Sequence, residues 1–173
     1  MQSPSQHKYL TKLQCCPTSD GAACVIICSE KFLEKHPHLN GQAIEIAGQA
    51  MATDDVRLLG GSAIELVGAE MTRRAAKMVY EESGVGPDDV QVVECHDCFS
   101  ANEMYLRCLS RVNERVCIDA LGLCPPGKAH ELVANGDITF GGKYLINPSG
   151  GLISKGHPIG ATGLAQASEL VSR

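Results

Sequence analysis

A chain of 173 residues and 18.4 kDa has the length of one domain or of a piece of a larger one. Its apolar fraction of 44% is that of a globular protein, and a net charge of -5 with an isoelectric point near 5.6 argues against nucleic-acid binding, which shows a basic face. The apolar runs are too short for a bilayer span, the polar start Met1–Lys8 lacks the apolar segment of a secretory signal, and nine cysteines, odd and unevenly spread, fit thiols in a reducing compartment better than a disulfide scaffold.

Along the chain, residues 1–12 are polar and read as a ragged start. Leu13–Gly21 is a loop by its Pro17, Ser19, Asp20 and Gly21. Ala22–Cys28 is a short apolar run, read as a buried strand, with Cys24 and Cys28 acting as small hydrophobes. Ser29–His36 reads as a short helix stopped by Pro37. Ala43–Ala50 is strand-like, with Ile44 and Ile46 on one face, and residues 54–68 carry no clear period.

The spacing predicts a helix over Glu70–Ser83, with Met71, Ala75, Met78 and Val79 on one face and Gly84 as the stop. Pro87-Asp88-Asp89 turns into a strand over Val90–Cys95. Ser100, with Glu103 three residues on, has capping-box spacing and opens a helix. Gly122–Gly127 is a loop, Leu132–Ala134 a short ordered piece, Asn135–Gly142 turn material and Tyr144–Ile146 a brief strand. Asn147–Gly160 reads as a long Gly/Pro/Ser loop, and Ala161–Val171 as a helix. Strands alternating with helices imply α/β layers.

Two stretches carry chemistry. Gly156-His157-Pro158-Ile159-Gly160-Ala161-Thr162-Gly163 sets a histidine among small residues, where backbone can approach a ligand closely, just before a helix whose N-terminus favours negative charge. A histidine there can take a proton from a thiol and return it to an enolate or oxyanion; the same residues also fit a purely structural turn. His96-Asp97-Cys98-Phe99 ends a strand, and a βα junction is where α/β sheets bind ligands. Cys98 near a helix start would gain thiolate character; a buried cysteine and a satisfied histidine fit equally. Cys95-x-x-Cys98 around His96 resembles half a zinc site, but no second pair repeats the spacing, and strand geometry points Cys95 and Cys98 to opposite faces. Lys155 lies in no phosphate-binding loop pattern.

These residues resemble a family. The chain is similar to the sterol-carrier-protein type of 3-oxoacyl-CoA thiolase, the thiolase part of sterol carrier protein X. The blocks that carry the resemblance are Gln14-Cys15-Cys16-Pro17-Thr18-Ser19-Asp20-Gly21-Ala22-Ala23, His96-Asp97-Cys98-Phe99-Ser100, Ala120-Leu121-Gly122-Leu123-Cys124-Pro125, and Gly141-Gly142-Lys143 with Ile146 through Gly163. They cover most of residues 11–170 in family order, and His-Asp-Cys-Phe separates this type from thiolases with Asn-Glu-Ala-Phe.

The resemblance implies a layered α/β/α fold, one incomplete half with a mixed sheet flanked by helices. Residues 13–86 would close the N-terminal thiolase domain and add a connecting helix; residues 87–173 would be a C-terminal domain cut before its last strands. It implies catalytic roles for His157 (activating the nucleophilic cysteine and forming an oxyanion hole), His96 (positioning a water in that hole) and Cys98 (acid or base), with Gly156, Ser149, Gly150 and Phe99 against the substrate. The implied reaction is cleavage of a 3-oxoacyl-CoA, branched or bearing a sterol side chain, by CoA as second substrate, with no bound cofactor or metal.

The family works as a homodimer in peroxisomes, and this piece need not dimerise; Val171-Ser172-Arg173 is no peroxisomal address. The family's nucleophilic cysteine, its nucleotide-holding loop and its Cys-x-Gly motif have no counterpart here, so the chain is expected to be inactive alone. Tyr105–Cys117 reads as extra sequence. The alternatives are a non-catalytic module binding acyl-CoA or a partner, and a zinc or redox protein built on the cysteines.

Overall fold

The computed structural model describes residues 4–7, 10–60, 63–99 and 116–173. The predicted helix start at Ser100 and most of the Tyr105–Cys117 stretch lie outside the described residues. The first elements are two short antiparallel strands, β1 (Ser5–His7) and β2 (Leu10–Thr11), so part of the expected ragged start is paired. A 3-10 turn over Lys12–Gln14 follows.

Helix α1 (Glu30–Lys35) forms where expected: Ser29 caps it by accepting a hydrogen bond from Phe32 N–H at 3.3 Å. The strands expected over Ala22–Cys28 and Ala43–Ala50 do not form. A strand exists only when a second backbone completes its ladder, and neither segment has a ladder partner among the described residues. Ile26 is 96% exposed, Ile44 and Ile46 are also exposed, and Cys24 and Cys28 lie in solvent rather than in a core.

After a 3-10 turn at Val56–Leu59 and α2 (Ala63–Leu66), the long helix α3 (Ala69–Ser83) runs to Gly84. Gly84 adopts φ +71°, and its N–H donates to Tyr80 O at 3.0 Å, so the helix stops where only glycine closes the turn without strain. The buried positions of α3 are Ala69 and Ala76, while Met78 on the expected apolar face is 47% exposed. Small alanines let α3 approach α4 (Val116–Ala120), and Tyr80 Oη donates to Leu121 O at 2.8 Å across that contact.

Strands β3 (Val92–Val93) and β4 (Leu145–Ile146) pair in parallel, Val92 opposite Leu145 and Val93 opposite Ile146. Between them lie α4 and α5 (Ala129–Asn135). The core gathers Cys95, Cys117, Ile118, Leu123, Ala129, Tyr144 and Ile146. The expected long loop after β4 is interrupted by a helical turn, α6 (Gly151–Lys155), and α7 (Thr162–Val171) closes the chain.

A two-residue ladder is too short to fix two distant segments. Polar side chains continue it. Asn147 N–H donates to Val93 O at 2.7 Å, and its side-chain Oδ1 accepts Cys95 N–H at 2.8 Å. Ser149 donates to Glu94 through its N–H at 3.0 Å and its Oγ at 2.8 Å. The buried Asp97 carboxylate accepts Leu152 N–H at 2.6 Å and so sets α6 in place. Residues 94–97 are thereby clamped to residues 147–152.

Asn147 is buried and sits at φ +48°, a left-handed conformation asparagine tolerates. Asn147→Ala removes the side-chain acceptor of the Cys95 N–H, a loss of about 1–3 kcal/mol, and keeps a Cβ in the left-handed region without the polar side chain that makes it tolerable there, whereas Asn147→Gly relieves roughly 1 kcal/mol of that strain. Urea unfolding should rank stability as wild type, then Asn147→Gly, then Asn147→Ala.

Candidate active site

The clamp decides which side chains emerge beside it. Alternation along an extended segment buries Cys95 and Asp97 and turns His96 between them to the opposite side. From the other segment, α6 ends at Gly156, whose φ of +89° turns the chain outward and delivers His157. Gly156 is buried against Ser19, and a Cβ there would run into the Ser19 side chain. The turn bearing His157 is therefore held against the Pro17–Ser19 loop.

The two imidazoles meet, with ring centroids 4.7 Å apart and planes at 86°, edge to face. His157 lies at the wall of an open cavity of about 750 Å³ formed by Cys16–Ala23 and His157–Ala161. Thr162 Oγ1 is 2.6 Å from His157 Nδ1 and 3.1 Å from Pro158 O. The hydroxyl has one proton, and with that proton donated to Pro158 O its oxygen accepts from Nδ1. We assign His157 as the Nδ1–H tautomer, which leaves its Nε2 lone pair available as a base.

Partial burial, first, and the facing His157, second, hold His96 below the ordinary histidine value, with Asp97 pulling weakly the other way. His96 is thus neutral at pH 7. Burial, and then the nearby Cys16 thiol, push Cys98 up, so Cys98 is a protonated thiol near neutrality. That opposes the thiolate character expected of it.

The sequence-predicted residues take different places in the structure. His157 and His96 are brought together, and Cys98 follows His96 by two residues at the same strand end. Gly156 serves the turn that presents His157, and Gly150, at φ +91°, precedes α6. Ser149 is held by Glu94 and also accepts from Lys155 Nζ at 2.7 Å, so it closes the clamp rather than facing the cavity. Phe99 is half exposed and bridges Cys15. Cys95, the other half of the zinc-like pair, faces the core, where Asn147 Nδ2 reaches its Sγ at 3.6 Å. Sequence reasoning missed Asp97, Thr162, Asn147 and Glu94 as residues that position the site. Asp97 and Thr162 lay inside the two motifs; Glu94 and Asn147 lay outside them.

Residues 61–173 match the thiolase C-terminal domain-like family. The chain belongs to the thiolase family. This thiolase chain is 53% identical to sterol carrier protein 2 of Bos taurus over 171 residues, covering 98% of the chain and 29% of that protein. It is 48% identical to the non-specific lipid-transfer protein-like 2 of Caenorhabditis elegans, covering 95% and 37%. It is 37% identical to the benzoylsuccinyl-CoA thiolase subunit BbsB of Thauera aromatica, covering 95% and 38%. The chain thus spans well under half the length of these relatives.

Among solved structures, the Ltp2–ChsH2(DUF35) aldolase superposes with a TM-score of 0.64 at 20% identity, over 97% of this chain and 41% of that one. That likeness shows the fold: a partial thiolase-like α/β domain, helices around a small parallel sheet. No helix among the described residues is long and apolar enough to cross a membrane.

Two measurements check the site. In an NMR titration His96 should have its midpoint below 6.5, moving up but not fully back in His157→Gln, because burial remains. Its folded value is lowered, so the stability it contributes is present above 6.5 and lost as pH falls through the folded midpoint. In Thr162→Val the ¹⁵N shifts of His157 should lose the Nδ1–H signature, with a stability change of about 1 kcal/mol.

Proposed function

We propose that these residues form the histidine-bearing half of a site that cleaves 3-oxoacyl-CoA thioesters with CoA, on branched or sterol-side-chain acyl groups. The single observation that carries the reading is the edge-to-face contact of His96 with His157, the latter lining the open cavity. Two histidines, one with its Nδ1 proton committed and its Nε2 available, suit chemistry in which a thiol proton is taken and an oxyanion is stabilised.

In this reading a cysteine from outside these residues attacks the 3-oxo carbon while His157 Nε2 removes its proton. The bond between that carbon and the α-carbon breaks, giving an acyl-cysteine and the enolate of acetyl-CoA or its 2-methyl homologue. In this reading Cys98, protonated because burial raises it, returns a proton to the enolate carbon and becomes a thiolate. CoA thiol then gives its proton to the Cys98 thiolate and attacks the acyl-cysteine, the acyl group leaves as acyl-CoA, and the released cysteine sulfur takes back the proton held by His157. His96, neutral by its lowered pKa, holds a water or the oxyanion without adding a competing charge. The atoms balance with no cofactor. The relation to sterol carrier protein 2 and to a CoA thiolase subunit supports the substrate class.

The chain alone should bind the thioester but not turn it over, since no acyl-enzyme forms without the nucleophile. Calorimetry with a 3-oxoacyl-CoA should give binding heat that falls in His157→Ala and His96→Ala. A thiolysis assay should show no turnover above the His157→Ala control. Absence of heat with any CoA thioester overturns the substrate class; turnover well above the control overturns the division of the site.

A further inference from the structure

Cys16 and Cys98 come from segments far apart in sequence, yet they lie directly opposite each other. Cys15 bridges Phe99 in antiparallel register, and Cys16 N–H donates to Cys98 O at 2.8 Å. One step along that ladder from the Cys15–Phe99 pair, Cys16 faces Cys98. That hydrogen bond is one of the two that facing residues of an antiparallel pair exchange; such residues have Cα atoms about 5.5 Å apart, within the roughly 4.4–6.8 Å a disulfide accepts, and their side chains share one face.

Cys15 projects to the other face, where its Sγ donates to Thr11 O at 3.5 Å. The adjacent cysteines are thus distinguished by register: one is tied back to its own turn, and the other looks across at Cys98. Cys117, a further thiol close to Cys98 among the described residues, is buried in the core, with its Sγ directed at His96 O. Cys16 also lines the open cavity, where a small oxidant reaches it.

We propose that Cys16 and Cys98 are a site of reversible oxidative modification, closing to a disulfide under a peroxide. Peroxide oxidises the Cys16 thiol to a sulfenic acid and releases water. Cys98 sulfur then attacks the Cys16 sulfur, a second water leaves, and the S–S bond forms. Each cysteine sulfur gives one electron, and the peroxide O–O bond takes both. A dithiol reverses the step. The covalent event is independent of the function proposed above. Its consequence rests on that reading: with Cys98 in a disulfide, the proton donor beside His96 is lost.

The test treats the folded chain with hydrogen peroxide, blocks remaining thiols with maleimide, and identifies linked peptides by mass spectrometry without reduction. Wild type and Cys15→Ser should give a Cys16–Cys98 pair, two hydrogens lighter than its reduced form and lost on adding dithiothreitol. Cys16→Ser should lose that pair and leave Cys98 open to maleimide. Cys98 remaining reactive in oxidised wild type overturns the proposal. So does its linkage to any cysteine other than Cys16, or an equal yield of the pair from the urea-unfolded chain. The readout is the bond itself, so the result holds whether or not the chain binds or cleaves a thioester.

Discussion

The clamp between residues 94–97 and 147–152 is the constraint on which the candidate site depends. The parallel ladder of β3 and β4 contributes only two residue pairs. Beyond it the two segments would drift apart were the polar groups not matched: Cys95 N–H to Asn147, Ser149 to Glu94, Leu152 N–H to Asp97. Each of these bonds satisfies a backbone group in or beside the core, where an unpaired one is costly. Because Cys95 and Asp97 are held inward, His96 has only the outer side left to it.

The same clamp explains why a helical turn stands in a stretch rich in glycine, proline and serine. Five residues of that composition do not form a helix on their own. Asp97 supplies an acceptor for an N–H in the first turn of α6, and Gly151, at φ +65°, gives the carboxylate room that a Cβ would take. Gly156 then ends the turn against Ser19. Stability and chemistry are coupled here: the groups that close the backbone ledger are those that aim the histidines. Thr162 extends the coupling by one bond, from the start of α7 to the proton on His157 Nδ1.

Charge placement follows from partial burial. His96 is kept neutral and Cys98 protonated by lost water and by neighbouring groups. One motif therefore offers a neutral imidazole and a thiol donor, while His157, two glycine turns away, offers a lone pair. Both histidines have the same intrinsic chemistry, so what distinguishes them here is the surroundings of each.

Helices with local end signals were legible from the sequence. Ser29 capped α1, Gly84 stopped α3, and the run after Gly160 became α7, because caps and glycine stops act within one turn of chain. The two histidine motifs were legible for a similar reason, as their residue types announce the chemistry. The strands expected at Ala22–Cys28 and Ala43–Ala50 were not determined locally, since apolar character makes a strand only where another backbone completes it. The buried face of α3 also belonged to its partner: α4 chose Ala69 and Ala76 over Met78. Tertiary structure alone decided that Asp97 would build α6, that Thr162 would fix the tautomer of His157, and that Cys16 rather than Cys15 would face Cys98. Those outcomes depend on register between distant segments, and register is a property of the folded pair that neither segment encodes by itself.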